Sequence, residues 1–346
     1  MRLPGAFWEG FCLARIKLFT LNVWSGFRYR GLIRLEEYEP PEIREQRFEG
    51  LCAVLQEEQP DIVFLNEANP LFAYGGRLAN RLGYVPLGHM GVAGVRAGRL
   101  GFPLNLREGD LILARPALAP AYQGRVHLGG KGWCGNVFSC HFDNLTQAVL
   151  ARCTLLGGAP LYACVTHWVA GPAVTPENVK KLPELAREWG FPAKQAAQAE
   201  EKLRALERCK LEEARRLCDW LEKNVPAGAP LIVAGDFNAE AAWPELMHLA
   251  KRGFTRLVPQ GNGFATWDPA HNTNLQAYYA QEARQKQKSL YHQLDAADEL
   301  FARDIDHFYV RNLQPGSVSD CRVCATTPWR GRSISDHFAL TATVEL

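Results

Sequence analysis

What most constrains this chain is the way its apolar runs end. Short β-rich stretches recur along it: ARIKLFTLNV (14–23), PDIVFLNE (60–67), GDLILARP (109–116), GNVFSCHF (135–142), AVLARCTLL (148–156), PLYACVTHW (160–168), APLIVAGDF (229–237), RDIDHFYVR (303–311) and HFALTATVEL (337–346). Runs of about four to eight apolar, β-branched residues read as buried strands. Several of these stop on a polar group. Asn22 closes the first, Glu67 the second, and His167 and Asp236 close two more; Asp306 lies within RDIDHFYV, and Ser335-Asp336-His337 precedes the last. Strands end in polar residues for bland reasons too, but so many such ends together point to chemistry, because α/β proteins place ligands at the carboxyl ends of buried strands.

Helices are fewer than a regular βαβ chain needs. PPEIREQRFEGLCAVLQEEQ (40–59) carries Phe48, Leu51, Cys52 and Leu55 at helical spacing behind two prolines. Continuous and alternating strands with few helices predict an α/β fold, a sandwich of mixed sheets, in one domain spanning 1–346. Two segments break the pattern. Residues 172–224 turn into Glu, Lys, Arg, Ala and Leu, with Ala199, Leu203, Leu206, Leu217 and Leu221 as an apolar stripe, and read as a helical insertion with a solvated charged face. Residues 270–300 read as a polar loop-and-helix insertion, in which Arg284, Lys286 and Lys288 face solvent or meet an anion.

Composition narrows the class without naming a substrate. With 346 residues, 47% hydrophobic and a net charge of +2, the chain can bury a large core and is only mildly basic. No run reaches the roughly 18 apolar residues of a membrane span, and Glu9 interrupts the apolar stretch near the N-terminus that a signal peptide needs. Ten scattered cysteines suit a reducing, cytoplasmic setting. Cys321 and Cys324 are a close pair with no second pair or histidine cluster to complete a zinc site. The sequence leaves the oligomeric state open.

The strand-end residues share a chemistry. Asp, Glu and Asn are hard oxygen ligands that suit Mg²⁺ or Mn²⁺. Two histidines on separate strands suit general acid–base work near neutral pH. The chain has no GxSxG and no Walker-type glycine-rich loop with a lysine. Water activation beside a hard metal remains, and its natural target is a phosphoester.

The ordered set LNVWSG, FLNE, TH, GDFN, RDIDHFYV and SDHFAL, spanning Leu21 to Leu346, resembles the endonuclease/exonuclease/phosphatase superfamily. That group includes pancreatic deoxyribonuclease, abasic-site endonucleases, neutral sphingomyelinases and inositol polyphosphate 5-phosphatases. The resemblance implies a four-layer α/β sandwich, two mixed β-sheets packed face to face with helices outside. It implies Glu67 as principal metal ligand, Asn22 as support for metal and phosphate, and Asp336 as a second metal contact. Asp236 would position or deprotonate the attacking water, and Asn238 would donate to the phosphate or its nucleophile. His337 would contact the scissile phosphate, oriented by Asp306. His167 would be a second phosphate contact or general acid, with Glu108 as the carboxylate behind it. Thr266-Trp267-Asp268-Pro269 resembles an element of sphingomyelinase-like members, and reads equally as a turn.

The chain also departs from the family. His307 stands where tyrosine is common, the inositol phosphatase Trp-Cys-Asp-Arg element is missing, and Arg208 is not followed by the glutamine of a helical Arg-x-x-Gln. The resemblance therefore implies a divalent-metal-dependent phosphodiesterase, nuclease-type first, with phospholipid or small-molecule phosphoester hydrolysis as the alternative. A catalytically silent binding domain is the third reading. Arg96, Arg99, Arg107, Arg115, Arg125 and Lys131 give the middle of the chain the positive excess a nucleic-acid track needs, while core packing accounts for most of Phe102, Trp133, Phe138 and Phe142. GHMGVAGVRAGRLGFPL (88–104) reads as a loop that enters a bilayer interface beside a phospholipid head group, or as a substrate gate. His141 is assigned to structure.

Overall fold

The computed structural model describes residues 15–29, 35–37, 39–92, 95–97, 100–102, 104–143, 145–261, 263–282, 287, 289–313 and 317–346. Two six-stranded mixed sheets form its centre. The first contains β1 (Arg15–Asn22), β2 (Ile62–Ala68), β3 (Val85–Met90) and β4 (Gly109–Ala114). The second contains β5 (Ala121–Gly129), β6 (Thr146–Thr154), β7 (Pro160–His167), β8 (Leu231–Asp236), β9 (Thr255–Arg256) and β10 (Asp306–Arg311). The chain then returns to the first sheet as β11 (Val318–Cys324) and β12 (Ala339–Glu345). The strand orders are β11-β12-β1-β2-β4-β3 and β5-β6-β7-β8-β10-β9.

Each sheet has one parallel pair near its middle, β1 with β2 and β7 with β8; every other pairing is antiparallel. The register sets Asn22 opposite Asn66 in the first pair and His167 opposite Asp236 in the second. Asp306 then lies opposite Asp236 across the next ladder. All of the polar strand ends singled out above therefore gather at one edge of the sandwich.

The inner core lies between the sheets, where Leu18, Phe64, Ile112, Val165, Ile232, Phe308 and Leu340 are fully buried. Phe64 and Phe308 meet edge to face across it, with ring centroids 6.3 Å apart. Helices α1 (Pro41–Glu58) and α2 (Leu71–Leu82) cover the outside of the first sheet through Phe48, Leu51, Leu55 and Leu78. On the second sheet, α4 (Lys194–Asn224) lays down Ala214, Leu217, Cys218 and Leu221, and α5 (Pro244–Lys251) adds Leu246 and Leu249. The N-terminal half of α4 packs instead with α3 (Pro176–Glu188) through Leu182, Ala199 and Leu203. Helices α6 (Thr273–Glu282) and α7 (Leu290–Asp298) follow the Thr-Trp-Asp-Pro element. The fold is the four-layer sandwich expected.

Some elements differ from the sequence reading. GNVFSCHF is a strand only at Ser139–His141, in a small three-stranded sheet with Gly132–Cys134 and Leu104–Asn105. Phe102, Trp133, Phe138 and Phe142 are exposed, so core packing does not explain them. Arg284, Lys286 and Lys288 lie outside the described residues, as do 93, 94, 98, 99 and 103 of the 88–104 stretch.

Candidate active site

A cleft of about 950 Å³ opens at this edge, lined by Asn22, Glu67, His167, Asp236, Asn238, Asp336 and His337, among others. Two backbone features aim these groups. Glu67 and Asn238 both adopt left-handed backbone, at φ 58° and 48°. Such strain at non-glycine residues is held in place only by its surroundings. Three hydrogen bonds hold Asn238. Its N–H donates to Asp236 Oδ1 at 2.8 Å, its side chain donates to the Trp168 carbonyl at 3.0 Å, and the Lys210 ammonium donates to the Asn238 carbonyl. Gly235 is required for a different reason: a Cβ there would lie 2.1 Å from the Thr166 carbonyl.

The carboxylates are joined by Asn22. Its amide donates to Glu67 Oε1 and to Asp236 Oδ2, each at 3.1 Å. Glu67 Oε2 accepts from the Ser25 N–H at 2.9 Å. The loop carrying Ser25 is fixed by buried Arg47 of α1, which donates to the carbonyls of Val23 (2.6 Å) and Trp24 (3.0 Å). Both histidines face Asp236, with His167 Nε2 3.6 Å and His337 Nε2 3.8 Å from its Oδ2. On its far side, His337 Nδ1 donates to Asp306 Oδ2 at 2.7 Å. Burial alone would lower the His337 pKa, but Asp306, Asp236 and Asp336 outweigh it and lift it to about 10. For His167 burial again acts downwards, and the charges of Asp236, Glu67 and Asp110 reverse the direction. Burial, reinforced by Glu67, pushes the Asp336 carboxyl up to about 7.

Asp236, Asp306 and His337 bring donor atoms within 4.8 Å of one another, a grouping of metal-site dimensions. Since Asp306 Oδ2 and His337 Nδ1 already bond each other, this trio is spent on orienting the imidazole. The oxygen ligands that line the cleft are those of Glu67, Asp236, Asp336 and Asn22, each with lone pairs beyond the hydrogen bonds it accepts, a hard set suited to Mg²⁺ or Mn²⁺. A cation among them would also relieve the repulsion between Glu67 and Asp336.

The remaining expected residues fall into two groups. Thr266 Oγ1 accepts from the backbone N–H groups of Ile305 and Asp306, both at 3.1 Å, and so fixes the start of β10. Trp267 sets its ring edge to face with His337, centroids 5.1 Å apart, and lines the cleft. The element is thus more than a turn. Asp268, by contrast, pairs with His271 at 2.8 Å. Glu108 takes part in a loop turn through its backbone, its N–H donating to Asn105 Oδ1 and its carbonyl accepting from Asn105 Nδ2. The carboxylate of this strand whose charge reaches His167 is Asp110, two residues on.

Four further residues escaped the sequence reading. Asn66 donates to Asp110 Oδ1 (2.8 Å) and the Thr166 carbonyl (3.0 Å) and accepts from the Asp236 N–H (2.9 Å), tying the two sheets together under the site. Its position directly before Glu67 was the available signal. Lys210 and Glu213 sit three apart on α4, on the face expected to be solvated, yet both are buried. Glu213 accepts from Thr146 Oγ1 (2.5 Å) and the Val169 N–H (3.2 Å), and burial pushes its pKa up to about 7. The fourth is His141, assigned to structure from the sequence, which bonds the Asp143 carbonyl at 2.7 Å and also lines the cleft.

A two-sheet sandwich with a carboxylate–imidazole cluster at the carboxyl ends of its parallel pairs defines the class: a sandwich of the endonuclease/exonuclease/phosphatase type. Residues 19–337 match the Endonuclease/Exonuclease/phosphatase family, and the chain belongs to that family. Among solved structures it is similar to D. rerio TDP2 complexed with single strand DNA product, at 16% identity and TM-score 0.54, covering 96% of this chain and 100% of that one. It is also similar to an endonuclease/exonuclease/phosphatase from Bacteroides vulgatus (15%, TM-score 0.57, 96% and 99% covered). A third is the Bacteroides thetaiotaomicron mannosyl-6-phosphatase Bt3783 (13%, TM-score 0.53, 94% and 98%). No curated protein matches the chain. No helix among the described residues is long and apolar enough to cross a membrane.

Proposed function

We propose that this protein hydrolyses phosphoesters with the aid of a divalent cation, by direct attack of water. The observation that carries the reading is the shared hydrogen-bond frame of Glu67, Asn22 and Asp236, with two imidazoles aimed at Asp236. Glu67, Asp336 and Asn22 would hold the cation, which when bound polarises a phosphoryl oxygen and offsets the charge of the ester. Asp236 orients the attacking water and takes its proton. His337, kept as imidazolium by Asp306, donates to the oxygens on which charge accumulates, and His167 donates from the opposite side. Asn238, pinned in its left-handed turn, presents its backbone beside Asp236. No covalent intermediate is required.

The lining of the cleft argues about substrate. Among the described residues, seven acidic side chains line it against three from lysine or arginine, Lys131, Arg216 and Arg303. Arg216 is held by Glu212 and the Leu128 carbonyl, and Arg303 by Asp298. Arg115 lies at the opposite end of β4 from Asp110, against Tyr84. A track for a polyanion needs several cations along it, so a single phosphoester on an uncharged body fits this cleft better than a nucleic-acid backbone. The nuclease reading keeps one specific support, the similarity to a TDP2 solved with single-strand DNA product.

Glu67→Gln and His337→Ala test the assignment on bis(p-nitrophenyl) phosphate with Mg²⁺ and Mn²⁺. Each is expected to lower kcat by about 100-fold or more while the fold, read by circular dichroism, is retained. Full metal-dependent activity in either folded variant would remove the site from the mechanism.

A further inference from the structure

The hairpin from Gly132 to His141 is patterned inside out. On its inner face Cys134, Ser139 and the neighbouring Asn105 are buried, and Cys134 Sγ contacts Gln147 Oε1 and the Met90 carbonyl, both at 3.2 Å. On its outer face Trp133 is 55% exposed, with Val137 at the turn 78% exposed. Trp133 and Phe138 pack edge to face, centroids 5.0 Å apart, across the turn closed by the Gly135 N–H to the Phe138 carbonyl. Gly135 makes room for this pair, since a Cβ there would come 2.4 Å from the Trp133 ring. Folding in water drives aromatic side chains inward, so small and polar groups inside with aromatics outside need an occupant for the outer face.

The patch runs into the cleft. Phe142, 61% exposed, and Phe102 belong both to the apolar surface and to the lining of the cleft, as does Lys131 at the base of the hairpin. Of the thirteen large exposed hydrophobic side chains among the described residues, seven fall from Phe102 to Phe142. Contiguous exposed apolar surface of this kind marks an interaction site.

We propose that this hairpin docks the protein on a phospholipid bilayer, so that the cleft beside it receives a phosphoester presented at the membrane surface. Tryptophan and phenylalanine with a lysine at the base are the side chains that settle at the boundary of headgroups and acyl chains. Val137 and Leu106 add aliphatic surface, which suits acyl chains and offers nothing for a nucleic-acid base to stack on. The acidic cleft and its paired cations point the same way. The docking role stands on the patch alone; the substrate half rests on the phosphoesterase reading above.

The test is co-sedimentation with phosphatidylcholine vesicles, alone and with phosphatidylserine, using the whole chain and the variant Trp133→Ser/Val137→Ser/Phe138→Ser. The native chain is expected to pellet with vesicles, and the variant to lose about tenfold or more in partitioning. Its hydrolysis of bis(p-nitrophenyl) phosphate stays within about twofold, because none of the three side chains touches the catalytic cluster. Val137→Asp, at the most exposed position, keeps the test decisive if the triple variant does not fold. A native chain that stays in the supernatant, or variants that pellet equally, would overturn the proposal. So would loss of single-stranded oligonucleotide binding in the variant with no vesicle binding by the native chain, which would assign the patch to base stacking. Absence of diester hydrolysis by the native chain would sink the catalytic reading and leave the vesicle result standing.

Discussion

Lys210→Met removes one buried charge from beneath the catalytic turn and keeps most of the stem's volume. Lys210 is 1% exposed; its ammonium donates to the Asn238 carbonyl and lies 4.7 Å from the Trp243 ring centroid. A hydrogen bond from a charged donor is worth about 1.5–3 kcal/mol, and an orphaned buried acceptor costs about 1–3 kcal/mol. Both describe the same loss and are not added. Against it stands the cost of burying the ammonium, visible in the downward direction of its pKa, so a net loss of about 1–2 kcal/mol is expected. Activity suffers more than stability. Asn238 sits at φ 48° and supports Asp236 through its N–H, and misplacing a reacting group by about 1 Å costs about 100-fold. Steady-state kinetics on bis(p-nitrophenyl) phosphate should show kcat down by about 10- to 100-fold with KM little changed. Lys210→Arg, which restores a donor, should recover part of it. A folded Lys210→Met with kcat within about twofold of native would refute a positioning role for α4.

Asn66→Ala removes three buried hydrogen bonds at once and leaves the Asp236 N–H without its partner; urea unfolding should show a loss of about 3 kcal/mol or more. His307 is buried neutral, donating from Nε2 to the Ala239 carbonyl and accepting from Arg256, with burial pushing its pKa down to about 3. Its folded pKa lies below the unfolded value, so the unfolded chain binds the extra proton and stability falls as pH drops from about 6.5 towards 3, by at most about 1.4 kcal/mol per pH unit. Glu213, with its pKa raised to about 7, acts in the opposite sense, giving up stability as pH rises from about 4.5 towards 7. The clean readout is therefore the difference between the native chain and His307→Gln: the variant should gain relative stability as the solution is acidified, and a pH-independent difference would contradict a neutral buried imidazole.

The sandwich and most of the cluster were legible because both follow from local pattern. Short apolar runs announced the central strands, and Asn22, Glu67, His167, Asp236, Asp306 and His337 stand at or beside their ends, where register within each sheet and the packing of the two sheets bring them together. What stayed hidden depends on long-range burial. Lys210 and Glu213 lie in a charge-rich helix whose composition speaks of solvent, and only packing beneath the GDFN turn turns them inward. β5 escaped because it is half-exposed, and Asp110 because its role comes from Asn66 and Gln147 on other strands. The aromatics of residues 133–142 were read as core from composition; their outward face follows from the pairing of the hairpin. Asn272 and Asn274, inside the segment read as a polar insertion, both donate to the Ser335 carbonyl and brace the loop that carries Asp336 and His337.

The most direct measurement of the central claim is a calorimetric titration of Mn²⁺ into the native chain and into Glu67→Gln, paired with diester turnover in the same samples. The native chain should show one saturable binding event and turnover that rises in step with occupancy and vanishes with chelator, and Glu67→Gln should lose both. Turnover that persists in chelator, or metal binding and activity untouched by Glu67→Gln, would contradict that claim.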